Sequence, residues 1–205
     1  PRPPARLLVH GAGAGREVLA LARSGYTVQA WEPVAALVDA ANRLLAEEGV
    51  AARVGRSTLQ DWRPAAGETF DAVVLGWGMW THLLRHDDRV RSLRALRQAC
   101  PAGPVLLSFW RKEPVFDKNE QPLGPEPLHP PPRGRLQRVT RGVIREKLLG
   151  RPPIERGTAF WNGMFVHRVD EHELREEAAA AGYQLAYYER DGSRYPHALL
   201  RPQAA

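Results

Sequence analysis

Leu7-Leu8-Val9-His10-Gly11-Ala12-Gly13-Ala14-Gly15-Arg16 places three alternating glycines at the end of an apolar run, and Tyr26-Thr27-Val28-Gln29-Ala30-Trp31 carries a second run to Glu32. An apolar strand feeds a glycine turn that opens a helix, and the next strand ends on a carboxylate. Lacking a Cβ, glycine lets backbone NH groups approach a ligand, and a carboxylate at the neighbouring strand tip can grip two vicinal hydroxyls. The pair predicts a nucleoside-binding corner. A dinucleotide fingerprint would set a glycine three positions after its second glycine. Arg16 stands there instead, and the spacing is Gly-x-Gly-x-Gly.

Outward from this corner, segments alternate as parallel strands with crossover helices require. Strands are predicted over 6–10, 26–31, 51–55, 70–75 and 104–110, and helices over 16–24, 34–48 and 89–100, the last with Leu93 and Leu96 inward. Gly25 and Gly49 stop the first two helices, and Pro33 sits where a helix start tolerates its missing NH. From about 111 to 165 the pattern breaks under nine prolines, with one helical patch over 135–149. A stretch of that length is an insertion rather than an ordinary connection. Periodicity returns at Asp170, with Glu173 in capping-box position for a helix to Ala181. Two strands, 183–190 and 195–201, joined by Asp191-Gly192-Ser193, then give an antiparallel finish. The expected architecture is an α/β, Rossmann-like doubly wound sheet, mostly parallel with an antiparallel last strand, in a single domain over 1–205.

Composition agrees with one globular core: 205 residues, 43% hydrophobic. No apolar run approaches the ~20 residues of a bilayer span, and the Pro-Arg-Pro-Pro-Ala start has no apolar core of a secretory signal. Together with the single Cys100, which supports neither a disulfide framework nor a zinc site, this predicts a cytoplasmic protein. A net charge of +6 would suggest nucleic acid. Yet the only lysines are Lys112, Lys118 and Lys147, so the charge is almost all arginine, a bias expected of a GC-rich bacterial coding sequence.

These residues resemble the class I S-adenosylmethionine-dependent methyltransferases of the small-molecule type, over 6–110 and 165–201. Gly11-Ala12-Gly13-Ala14-Gly15-Arg16 looks like the family's first motif, Glu32-Pro33 like its ribose-binding corner, and Asp61-Trp62 like the site that holds the adenine amino group. Phe70 to Gly78, with Gly76 and Trp77 in its loop, looks like the fourth-strand motif that faces the methionine end. The resemblance implies S-adenosylmethionine as cofactor and transfer to an oxygen or nitrogen of a small molecule, without a metal. Two departures stand out. Val9 occupies the place of an acid that the family commonly has two residues before the first glycine. The family also sets one or two helices before its first strand, so a chain longer at its N-terminus is expected.

Single residues carry less. Asp61 reads equally as a turn residue ahead of Pro64. Trp77, Met79 and Trp80 read as packing, although aromatic faces attract a sulfonium cation. His82 lies at the expected acceptor mouth and has the residue type for a general base near neutral pH. His167 and Trp161-Asn162 read as strand packing rather than acceptor contacts. Arg133, Arg135, Arg138, Arg141, Arg145, Arg151 and Arg156 read as a solvated face rather than an RNA surface. Beside the enzyme reading stand a non-catalytic module that binds the same cofactor, favoured by Val9, and a nicotinamide oxidoreductase, disfavoured by Arg16.

Overall fold

A computed structural model describes residues 1–112, 115–116, 122–123, 144, 147–148, 150, 155, 157–161, 164–190 and 196–203. The opening apolar run is β1 (Arg6–His10), in which Leu8 and Val9 are fully buried. An uninterrupted apolar run is what a strand covered on both faces needs. In chain order follow α1 (Arg16–Arg23), β2 (Thr27–Glu32), α2 (Ala35–Glu47), β3 (Val54–Arg56), β4 (Ala72–Leu75), a 3-10 turn (Met79–His82), α3 (His86–Ala99) and β5 (Val105–Ser108). Two short hairpins, β6 (Val115–Phe116) with β7 (Pro122–Leu123) and β8 (Thr158–Trp161) with β9 (Met164–His167), precede α4 (Glu171–Ala180), β10 (Tyr183–Tyr188) and β11 (His197–Pro202).

Seven strands form one sheet in the order β10-β11-β5-β4-β1-β2-β3. β1 pairs in parallel with β2, Arg6 to Thr27 through His10 to Trp31, and with β4, Leu7 to Ala72 through His10 to Leu75. β11 is antiparallel to both its neighbours, β10 and β5. The chain therefore winds outward in both directions from the boundary of β1 and β4. At such a switch point the strand ends part and leave a crevice at their carboxyl ends.

Each face of the sheet has its own core. Val9, Val28 and Ala30 pack with Val18, Ala41 and Leu45 of α1 and α2. On the other face, Leu8, Val73 and Leu107 pack with Leu93, Leu96, Leu174 and Tyr183. Boundaries differ from the sequence pattern where side chains decide them. α3 starts at His86, with Asp87 and Asp88 favourable to its N-terminal dipole. The third strand begins at Val54, whose NH and carbonyl are both taken by the Asn42 side chain, at 2.9 Å each. The expected insertion ends in the β8–β9 hairpin, which the prolines upstream obscure. Most of the helical patch over 135–149, the arginine series, Asn162 and the turn at 191–193 lie outside the described residues. No described helix is long and apolar enough to cross a membrane.

Candidate functional site

The turn after β1 is bound to the tip of β2. Gly11 and Ala12 donate their NH groups to the Trp31 carbonyl at 2.9 and 3.1 Å. Glu32, 5% exposed, accepts from Gly13 N through Oε2 and from Val34 N through Oε1, each at 3.0 Å. One carboxylate thus bridges the glycine turn and the start of α2. Each of its oxygens has a further lone pair, so it can accept two more hydrogen bonds from a ligand. Gly13, with φ +53°, would meet nothing within 4 Å if it carried a Cβ, so the turn is open on that side. Gly15, φ +87°, is closed: a Cβ there would lie 3.0 Å from that of Ala41, which sets how closely α2 approaches α1.

Over this corner lies a cavity of about 480 Å³, within the usual range of small-molecule sites. Pro33, Val34, Leu37 and the 58–60 segment line one end; Gly76, Trp77, Met79, His82, Leu83 and Met164 line the other. Val34, Leu37, Trp77 and Met164 are exposed at the rim, which makes the mouth apolar. Trp77 has φ +53° and Gly78 φ +69°. A bulky residue in that region is strained by of order 1–3 kcal/mol and marks a site where the surroundings enforce it. Gly78 N donates to Ser108 Oγ at 2.6 Å, and the Arg16 guanidinium lies 5.0 Å from the Trp77 ring centroid.

His82 ends the 3-10 turn. Its ring is exposed, yet the protein around it desolvates the imidazole enough to lower its pKa, against the weaker opposing pull of the Glu32 carboxylate. Behind that turn, fully buried Arg89 donates to the Leu83 carbonyl and Glu177 Oε1 at 2.8 Å, to Glu173 at 3.0 Å and to Glu155 at 3.2 Å. Ions outside the cavity lining therefore hold Leu83, the residue after His82, from behind.

Residues 8–103 match the family model of a methyltransferase domain. They carry a methyltransferase domain, and the fold is that of the class I S-adenosylmethionine-dependent methyltransferases. No curated protein matches its sequence significantly. Among solved structures, the methyltransferase has the fold of CcbJ from Streptomyces caelestis, at 15% identity and TM-score 0.68, covering 99% of this chain and 85% of that one. It has the fold of the amino pentose methyltransferase CalS10 from Micromonospora echinaspora, solved with S-adenosylmethionine, at 16% identity, TM-score 0.64, and coverage of 98% and 84%. Magnesium protoporphyrin IX methyltransferase from Synechocystis, solved with S-adenosylhomocysteine, is similar at 15% identity, TM-score 0.61, and coverage of 98% and 75%.

Of the residues singled out in the sequence, the methyltransferase gathers Gly11, Gly13, Glu32, Pro33, Gly76, Trp77 and His82 around the cavity. Ala12 and Gly15 shape the turn from behind, and Arg16 reaches the site through Trp77. Asp61 and Trp62 stand apart from the lining. The Asp61 carboxylate accepts from Thr58 Oγ1 at 2.6 Å, closing its own turn. Trp62, 3% exposed, points into the core and meets His10 edge-on at 5.2 Å. Thr58, Leu59 and Gln60, just before that pair in the chain, line the cavity. His167 is fully buried between Glu173 Oε1 at 2.8 Å and Thr158 Oγ1 at 3.3 Å, a packing role. Sequence reasoning passed over His10, Met164 and Gln60. A histidine closing an otherwise apolar strand was the one signal available, for His10.

Proposed function

We propose that this methyltransferase moves a methyl group from S-adenosylmethionine to an oxygen or nitrogen of a small molecule, with His82 as the base that receives the acceptor's proton. One observation carries the reading: a single cavity has the Glu32-bridged glycine turn on one wall and His82 on another. The residues suit this cofactor. Glu32 keeps acceptor capacity for two hydroxyls, the apolar Pro33, Val34 and Leu59 suit a base, and Trp77 offers an aromatic face to a cation. S-adenosylmethionine supplies an electrophilic methyl on a sulfonium, which departs as a neutral thioether. The protein is left to align donor and acceptor and to exclude water, and proximity alone supplies ~7–11 kcal/mol in favourable cases.

Desolvation by the surrounding protein lowers the pKa of the otherwise exposed His82, which favours the neutral ring with a lone pair for the acceptor's proton. The apolar rim of Val34, Leu37, Trp77 and Met164 admits a compact organic acceptor. CalS10 and the magnesium protoporphyrin IX enzyme, by their names, act on small molecules, which supports the same class here. A lone, buried Cys100 fits a cytoplasmic setting. The second reading, a cofactor-binding module without turnover, rests on Val9 in the acid's place.

Radiolabelled S-adenosylmethionine with a panel of phenols, hydroxy acids and amines tests the proposal. Transfer to at least one acceptor is expected, and His82→Gln should lower kcat by ~10²–10⁴-fold while S-adenosylhomocysteine affinity holds. Tight S-adenosylhomocysteine binding without transfer to any acceptor would favour the module instead.

A further inference from the structure

Val9 leaves the methionine end of the cofactor without the acid that usually precedes the glycine turn, and its side chain is fully buried against Val18 of α1. Immediately before Val18 in the first turn of α1, on the same face of the sheet, stands Glu17. Its carboxylate runs along Gly76 at the end of β4, so that a Cβ on residue 76 would collide with it. Gly76 itself lines the cavity, two residues beyond Val74, which pairs with Val9. Glu17 Oε2 is buried and has no hydrogen-bond partner among the described residues. A buried carboxylate oxygen without a donor is costly unless a cation or donor arrives.

We propose that Glu17 receives the ammonium group of the cofactor's amino-acid end, supplying from α1 the acid that β1 lacks. This rests on S-adenosylmethionine being the ligand of the Gly11–Met164 cavity. It explains why position 76 is glycine: any side chain there would displace the carboxylate. Burial raises the Glu17 pKa, opposed by the charges of His197 on β11 and Arg16 on α1; Glu189 in turn faces His197 at 3.2 Å. An ammonium beside Glu17 would draw its proton off and leave the pair charged.

Calorimetry of the full chain with two probes separates this role from a structural one. S-adenosylhomocysteine has the amino-acid end; 5′-methylthioadenosine keeps the nucleoside and thioether without it. Glu17→Gln should weaken S-adenosylhomocysteine roughly 10–100-fold and leave 5′-methylthioadenosine within about twofold. Equal loss for both ligands, or no loss for either, overturns the proposal. A second measurement needs no variant: at pH 4.5, where a glutamate raised by burial is mostly protonated, in buffers of different ionisation enthalpy, the wild type should release more protons on binding S-adenosylhomocysteine than on binding 5′-methylthioadenosine. Identical proton release overturns it. If the wild type binds neither probe, the cofactor reading of the cavity fails, and this inference with it.

Discussion

His10 shows how one buried side chain couples the site to pH. It is 1% exposed, and burial lowers its pKa from 6.5 to about 3. Because the folded pKa lies below the unfolded one, the stability it contributes is full above about pH 6.5 and is lost as pH falls toward 3. The loss is on the order of 4–5 kcal/mol. His10→Phe, which keeps an aromatic ring against Trp62, should move the acid unfolding midpoint to lower pH, followed by circular dichroism between pH 3 and 7. Glu32→Ala strips Gly13 and Val34 of their acceptor and should weaken S-adenosylhomocysteine by ~10–100-fold in calorimetry. Unchanged affinity would remove Glu32 from the ribose contact. Gly15 is a position of shape alone. Gly15→Ala forces a Cβ at φ +87° against Ala41 and should cost at least ~2 kcal/mol in urea unfolding. The glycine turn and Glu32 were legible in the sequence because their partners, Trp31 and Val34, are near neighbours on consecutive elements. For Asp61 the sequence left two readings level, because a free carboxylate and one that closes its own turn on Thr58 look alike in sequence.

At the scale of elements, α4 illustrates how tertiary structure redirects a local motif. Asp170 caps the helix as its sequence predicts, accepting from Glu173 N at 2.8 Å. The Glu173 carboxylate does not return the bond to Asp170, as a capping box would have it. It is taken by His167, Lys112 and Arg89. Partial burial alone would raise its pKa; the His167 and Lys112 contacts outweigh that and hold it at about 2. A depressed carboxylate contributes stability above about pH 4.5 that disappears as pH falls toward 2, here on the order of 3 kcal/mol. Glu177 beside it, raised by burial, contributes with the opposite sign. Glu173→Gln should therefore flatten the acid limb of the stability curve between pH 4.5 and 2. Arg89→Met leaves Glu177 and Glu173 without their shared cation and should cost about 3–5 kcal/mol in urea unfolding, partly restored by adding Glu177→Gln. The strands and helices of the sheet were legible from periodicity. This ion cluster was not, because Arg89, Glu155, Glu173 and Glu177 meet only through pairing over 66 to 88 positions of sequence. The β8–β9 hairpin escaped for a related reason: its apolar residues pack on Trp110 rather than continue the main sheet.

For the molecule as a whole, ligand linkage gives the broadest check. S-adenosylhomocysteine at 100 times its Kd should add about 2.7 kcal/mol of stability and raise Tm by roughly 5–10 °C for a chain of this size. NADH at the same concentration should leave Tm unchanged; a comparable rise with NADH would reopen the oxidoreductase reading. The strand order has a different consequence, for synthesis. The core that holds Val9, Val18, Ala41 and Leu45 closes with Val54, so the cofactor half can fold early. The edge of β5 waits for β11, since Ser108 pairs with His197. At 5–20 residues per second, the roughly ninety residues between them leave that edge open for on the order of 5–20 s on the ribosome. The nascent chain thus carries a formed nucleoside corner beside an unsealed sheet, and a ligand or chaperone would meet the two halves in that order.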